Sequence, residues 1–233
     1  MKYQKIQKII QTRKFIIIGS PASNNYQVVQ TFIDHGIDII KLHLNMTHPV
    51  SNVTLSSLKE EESNIYPVIS QNPQIVWGIV PGNLLTNPKS FEEIPNETLQ
   101  RLFDFVDLFY YSYTAHYLKI DLPKMVAIDR VLQREELSIL ERMGFWGIET
   151  SIVDKNSYGL PLTLQDIINL ERIVKNTTIP IFVPTQKKIT PKDVRILYDI
   201  GAKGIVLGQI STSLEIDTAR KIISEFVDQV QKL

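Results

Sequence analysis

The chain is predicted to fold as a single (β/α)8 barrel with an irregular fourth crossover. Three features carry this expectation. Eight short apolar or alternating runs recur over 233 residues, and stretches of helical spacing separate most of them. The order helix, glycine, short connector, apolar strand then repeats at "DHGIDII", "RMGFWGI" and "DIGAKGI". Strands that alternate with helices pair in parallel through right-handed crossovers. Eight of them point to a closed barrel more than to an open doubly wound sheet.

The first run is "FIIIGS" (15 to 20). In the "YQVVQTFIDHG" that follows, Val28, Val29, Phe32 and Ile33 form one helical stripe and Gly36 marks the stop. "DIIKLHLN" (38 to 45), "IVWGIVPG" (75 to 82) and "LFYYSY" (108 to 113) read as the next three strands from their β-branched and aromatic content. Only "TAHYLKIDLP" separates "LFYYSY" from "KMVAID" (124 to 129), too little for a full helix, which makes the fourth crossover irregular. "REELSILERMG" is a helix ending at Gly144, followed by "FWGIET" (145 to 150) and "IPIFVP" (179 to 184). In "ITPKDVRILYDIG", Thr190 is the N-cap, Pro191 sits in the first turn and Gly201 is the stop; "KGIVLG" (203 to 208) is the eighth strand. The widest irregular segments, 45 to 52, 81 to 96 and 151 to 163, all follow strands and read as ligand-facing βα loops. No linker or composition shift divides the chain, so residues 1 to 233 are expected to form one domain.

Hydrophobic residues make up 43% and charged residues 21%, enough apolar material for a sizeable core and no sign of disorder. Lys+Arg and Asp+Glu balance at 25 each, which removes bulk attraction to nucleic acid or anionic lipid, and no basic stripe stands out. The absence of cysteine excludes disulfides, thiolate metal sites and cysteine nucleophiles. Near the N-terminus the longest apolar run is the four residues Phe15 to Ile18, too few for a signal-peptide core or a membrane span, and a cytoplasmic location is the expectation.

The second run carries the chemistry. Ile40, Leu42 and Leu44 share one parity and suit the helix-facing side, leaving Lys41, His43 and Asn45 pointing to the barrel axis at rising levels. A buried lysine needs a partner or a ligand anion, and both a structural ion pair and a functional role stay open. In "GFWGIETS" the same logic turns Gly147, Glu149 and Ser151 inward, Glu149 near the mouth. Tyr111, Tyr113 and Asp129 are directed to the same opening, although Asp129 equally suits a helix cap. Lysine, histidine and carboxylate around a barrel mouth can abstract a proton beside a carbonyl, and a lysine can alternatively form a Schiff base. His43, His48 and His116 lack tight ligand spacing and an acidic cluster, so no metal is expected, and no cofactor. His35 reads as a favourable residue at a helix C-terminus.

From residue 179 onward, "IPIFVPTQKKITPKDVRILYDIGAKGIVLGQISTS" resembles the last third of the ribulose-phosphate-binding type of (β/α)8 barrel. The resemblance implies a phosphate held by the loop after strand seven and by the turn after strand eight with a short extra helix. The matching positions are Gly208, Gln209, Ile210, Ser211 and Thr212, with Lys187 and Lys188 standing where that group usually has glycines. Ser211 to Ser213 could equally cap the last helix. "GFWGIETSIVDKNSYG" with the segments after it is similar to N-acetylmannosamine-6-phosphate 2-epimerases, with Glu149 at a comparable strand end, but "GIVPGN" lacks their lysine. "KLHLNMTHP" looks like a segment of ribulose-phosphate 3-epimerases that would match His43 to a metal ligand, without the other ligand motifs.

The leading expectation is an isomerase, epimerase or lyase acting on a small phosphorylated, carbonyl-bearing metabolite. Lys41 would be electrophile or Schiff-base amine, Glu149 the base and His43 a proton relay. Asn45, Tyr111, Lys187, Gly208, Gln209, Ser211 and Thr212 would bind the substrate and its phosphate. The alternative is a non-catalytic or regulatory barrel that binds a ligand. A third reading is a homo-oligomeric scaffold joined through Leu84, Leu85 and Phe91. Neither nucleic acid nor membrane is expected as a partner.

Overall fold

A computed structural model describes residues 2–47, 52–89, 91 and 93–233. Eight parallel strands close into a barrel: β1 (Ile16–Gly19), β2 (Ile39–His43), β5 (Val76–Val80), β6 (Phe105–Phe109), β7 (Lys124–Ile128), β8 (Gly147–Thr150), β9 (Ile181–Pro184) and β10 (Gly204–Leu207). β10 pairs with β1 to complete the ring. A two-stranded antiparallel hairpin, β3 (Met46–Thr47) with β4 (Thr54–Leu55), is inserted after β2. The expected barrel is therefore present, and its fourth crossover is irregular as expected: between β6 and β7 stand a three-residue 3-10 turn and the five-residue helix α5 (Ala115–Lys119).

Helices α2 (Tyr26–Asp34), α3 (Glu62–Gln71), α4 (Asn96–Leu102), α6 (Arg134–Arg142), α7 (Leu164–Lys175) and α8 (Val194–Asp199) occupy the other connections, and α9 (Ile216–Gln231) follows the last strand. Ile40, Leu42 and Leu44 pack in one apolar cluster with Val29 and Phe32 of α2 and Ile65 and Val68 of α3, which fixes their parity on β2 as helix-facing. The glycine stops are in place, with φ of +78° at Gly36, +76° at Gly144 and +91° at Gly201. Thr190 and Asp193 form a capping box. No helix among the described residues is long and apolar enough to cross a membrane.

The fourth strand differs from expectation. The aromatic run at 108 to 113 reads as a strand, but the ladder pairs Gly78 with Phe105 and Phe109 with Ala127, placing β6 three residues earlier. Tyr110 to Ser112 turn away in the 3-10 segment. Tyr113 accordingly does not face the axis: its hydroxyl donates to the carbonyls of Val106 (3.2 Å) and Met125 (2.5 Å), and its ring packs on Phe145.

The lower barrel interior is a separate apolar layer. Phe105, Trp146 and Phe182 stack edge to face, with centroids 5.1 and 5.4 Å apart, among Ile16, Ile18, Ile39 and Val206. Helix α1 (Lys2–Thr12) closes this end, burying Ile6 completely against the layer, while Lys2 donates to the carbonyls of Gln100 and Phe103. Such large rings fit because small residues stand beside them. A Cβ on Gly78 would lie 2.1 Å from the Phe105 ring, and one on Gly204 would lie 2.2 Å from the Ile16 carbonyl oxygen.

These two clashes differ in kind, since one obstacle is a side chain and the other is the neighbouring strand. Gly78→Ala should lower stability by about 1–3 kcal/mol, and Phe105→Leu in the same chain should recover part of it. Gly204→Ala should cost at least as much and show no such recovery. Urea denaturation of Gly78→Ala and Gly204→Ala, each alone and combined with Phe105→Leu, measures both, and equal recovery in the two combinations would contradict the packing described.

Candidate functional site

The C-terminal ends of the strands open into a cavity of about 680 Å3, and the second strand supplies its charged floor. Because β2 alternates, Lys41 and His43 project into the cavity while their neighbours pack on helices. Lys41 is 3% exposed and sits between two carboxyl groups: its ammonium donates to Asp107 Oδ2 at 2.8 Å and to Glu149 Oε2. Lys41 and Glu149, brought into one cavity by parity alone in the sequence, are thus in direct contact.

Asp107 is the residue the sequence reading missed. It lies at the centre of β6, and the three-residue slip in that strand hid its inward direction. The pattern "FDFVDLF", which buries Asp107 between Phe105 and Phe109 on one parity, was the available signal. Asp107 is 1% exposed, and its Oδ1 has no partner among the described residues.

Burial alone would pull the Lys41 ammonium down, but the adjacent charges of Asp107 and Glu149 outweigh it and hold the group above its ordinary value. For Asp107 the balance goes the other way. Burial pushes its carboxyl up to about 7 against the pull of Lys41, and the negative charge of Glu149 adds to the push. Glu149 Oε1 is occupied separately, accepting the Ser151 hydroxyl at 3.2 Å.

His43 reaches the same cavity with Nε2 3.5 Å from Ser20 Oγ. Its backbone is clamped by Asn24, whose amide donates to the His43 carbonyl at 2.8 Å. Tyr111 lines the wall, stacked on Phe109 at 5.2 Å, and its hydroxyl accepts from Asn83. Burial raises this phenol above its ordinary value. Asp129 also lines the cavity and does not cap the next helix, because α6 begins at Arg134 behind a Gln133 to Glu136 capping box. Asn45 turns elsewhere: at φ +52° it donates to the Pro81 carbonyl and borders a shallower depression beside the β3–β4 hairpin.

The expected anion end is only partly assembled. Gly208, Gln209 and Ile210 line the cavity, and Gln209 Oε1 is buried without a partner among the described residues. The Gly208 N–H is already used, donating to Thr185 Oγ1 at 2.9 Å. Ser211 and Thr212 give their hydroxyl protons to the carbonyls of Ile189 and Gly208. No extra helix follows the turn, and neither do Ser211 to Ser213 cap α9; Glu215 does, accepting from the N–H groups of Asp217 and Thr218. Lys187 is buried in an ion pair with Asp166 at 3.4 Å and does not line the cavity. On the opposite side of the count, Lys155 and Tyr158 of the loop after β8 line the wall, unanticipated from sequence.

Gln186 joins that loop to the one after β9. Its side-chain oxygen accepts from Val153 N–H (3.3 Å), its amide donates to the Tyr158 hydroxyl (2.7 Å), and its carbonyl accepts from Gly159 N–H (2.9 Å). Burial raises the Tyr158 phenol above its ordinary value.

Among the described residues no group of three or more His, Asp or Glu side chains is placed to hold a metal ion. His116 is not at the mouth but bonded through Nε2 to the Ile94 carbonyl, His35 caps α2 with Nδ1 on the Thr31 carbonyl, and His48 lies outside the described residues. Of the apolar loop residues, Leu85 is exposed, Leu84 is half-buried and Phe91 packs against Tyr117.

No family model matches the chain, and no curated protein matches it in sequence. Its fold is similar to that of the tryptophan synthase α chain from Legionella pneumophila subsp. pneumophila, with a TM-score of 0.72 at 10% identity, covering 100% of this chain and 97% of that one. The (S)-3-O-geranylgeranylglyceryl phosphate synthase from Thermoplasma acidophilum, solved with its substrate sn-glycerol-1-phosphate, gives 0.66 at 13% identity over 100% and 99% of the two chains. The 3-keto-L-gulonate-6-phosphate decarboxylase from Vibrio cholerae gives 0.63 at 11% identity over 94% and 98%. At these identities the likeness is one of fold. The chain folds as a closed (β/α)8 barrel, the fold that the resemblance of its C-terminal segment implied.

Proposed function

We propose that the protein is an enzyme that isomerises, epimerises or cleaves a small phosphorylated, carbonyl-bearing metabolite by moving a proton on the carbon beside the carbonyl. The observation that carries this reading is the Lys41 ammonium held between Asp107 and Glu149 at the floor of the cavity. A fixed ammonium in a site shielded from water stabilises an enediolate oxygen, and an adjacent carboxyl moves the proton. Schiff-base chemistry needs the neutral amine, and the two carboxyl groups favour the ammonium instead. The lyase route through a covalent lysine is therefore the weaker branch. His43, within reach of Ser20 above the floor, suits a proton relay.

The phosphate would rest on the turn at Gly208 to Ile210, with Lys155 as the cation on the wall that no carboxylate pairs with among the described residues. Thr185, Lys187, Ser211 and Thr212 are otherwise engaged, and this favours keeping a second reading, a barrel that binds a ligand without turning it over. Solvent deuterium wash-in, followed by NMR on dihydroxyacetone phosphate, D-ribulose 5-phosphate and D-fructose 6-phosphate, separates the two. Enzymatic proton transfer should label the carbon beside a carbonyl, and Lys41→Met should lower the rate by about 100-fold or more with the fold retained. Binding of a probe without exchange would support the second reading.

The same cluster makes stability depend on pH. An unfolded aspartate titrates near about 3.9, whereas the buried Asp107 titrates at about 7. Between those values the folded chain retains a proton that the unfolded chain has released. The contribution of Asp107 is thus fully present below the unfolded value and lost as pH rises through 7. Lys41, raised from its ordinary value, loses its contribution only in the far alkaline range. The stability of the wild type relative to Asp107→Asn should therefore fall as pH is raised from about 4 to about 7, by at most about 1.4 kcal/mol per unit. Urea denaturation at several pH values reads this, and a difference independent of pH would refute it.

A further inference from the structure

The three charged groups on the cavity floor have four carboxylate oxygens between them, and their hydrogen bonds are unevenly shared. Lys41 holds Oδ2 of Asp107 and Oε2 of Glu149, and the Ser151 hydroxyl holds Oε1 of Glu149. Both oxygens of Glu149 are therefore engaged. Asp107 Oδ1 alone of the four makes no hydrogen bond among the described residues, although Asp107 is 1% exposed and lines the cavity. A buried acceptor left without a partner is costly unless a ligand group meets it or it carries a proton to give.

Resting on the proton-transfer reading above, we infer that Asp107, and not Glu149, is the carboxyl group that exchanges a proton with the substrate carbon, while Glu149 positions Lys41 and tunes Asp107. Oδ1 of the Asp107 carboxylate forms a bond to the proton as the C–H bond beside the carbonyl breaks. The C–H electron pair becomes the carbon–carbon double bond of an enediolate, and the carbonyl π pair moves onto its oxygen, where the Lys41 ammonium meets the charge. While Asp107 holds the proton it exchanges with solvent, and return of a proton from Asp107 to carbon restores the carboxylate, so the cycle neither gains nor loses a proton. The acidity of Asp107 suits this role, because a group that titrates near neutral pH is both an available base and a competent acid. Glu149 contributes its negative charge to that acidity and its grip on the lysine to the geometry.

Glycidol, a small neutral epoxide, tests which carboxylate is free. A free carboxylate oxygen attacks an epoxide carbon, the ring C–O bond breaks, and the resulting alkoxide takes a proton from water, leaving a stable ester that peptide mass spectrometry locates. The expected result in the wild type is an ester on Asp107 at least about tenfold above Glu149, forming faster as pH rises through about 7. In Glu149→Gln the same ester should form with its midpoint moved to lower pH, a shift that a purely structural role for Glu149 would not produce. An ester on Glu149 with Asp107 unmodified, or no ester on either, would overturn the assignment. Deuterium wash-in with the three carbonyl phosphates named above keeps the two proposals apart. Loss of exchange by about 100-fold in Asp107→Asn, against a smaller loss in Glu149→Gln, supports the assignment. Labelling of Asp107 in a wild type that exchanges none of the probes would sink the proposed reaction and leave the identity of the free carboxylate standing.

Discussion

The ammonium of Lys41, buried between two carboxyl groups inside the ring, is the constraint around which the upper half of the barrel is arranged. Removing three charged groups from water costs several kcal/mol for each, and their mutual attraction offsets this only where geometry and hydrogen bonding are good. The sequence places them on three separate strands, β2, β6 and β8, so the cluster exists only when the ring is closed. One oxygen, Asp107 Oδ1, has no partner among the described residues, and its residue lines the cavity where a ligand fits. A purely structural ion cluster would gain by satisfying that atom, whereas the Ser151 hydroxyl serves Glu149.

The lower half supplies what such a cluster needs from beneath. Phe105, Trp146 and Phe182, fitted against glycines, fill the axis with aromatic surface, and α1 covers it. A layer of this kind keeps water from the lysine on one side, strengthening every interaction within the cluster. Chemistry is thereby confined to the opposite end, where the loops are.

Much of this was legible in the sequence because alternation is a local signal. From Ile40 onward each apolar residue of β2 is followed by a polar one, so one strand declared both its helix-facing and its axis-facing sides, and Lys41 and His43 followed. The sixth barrel strand behaved likewise for Glu149. β6 did not, since aromatic residues continue past its end and draw the eye three positions too far, turning Tyr113 inward on paper and concealing Asp107. The anion end was less legible for a different reason. Hydroxyls and lysines near a glycine turn have the right chemistry, but whether they serve a ligand or the backbone depends on contacts between loops distant in sequence. Thr185 with Gly208, Ser211 with Ile189 and Lys187 with Asp166 are such contacts, and composition does not disclose them.

The threefold attachment of Gln186 to the loop after β8 makes two walls of the cavity into one mechanical part. Barrels of this kind are often regarded as rigid bodies with independently exchangeable rims. Here a transplant of residues 151 to 163 without their neighbour from the seventh repeat would leave an amide, a phenol and two main-chain groups stranded. Inheritance and redesign of this rim would have to treat the two segments as one module.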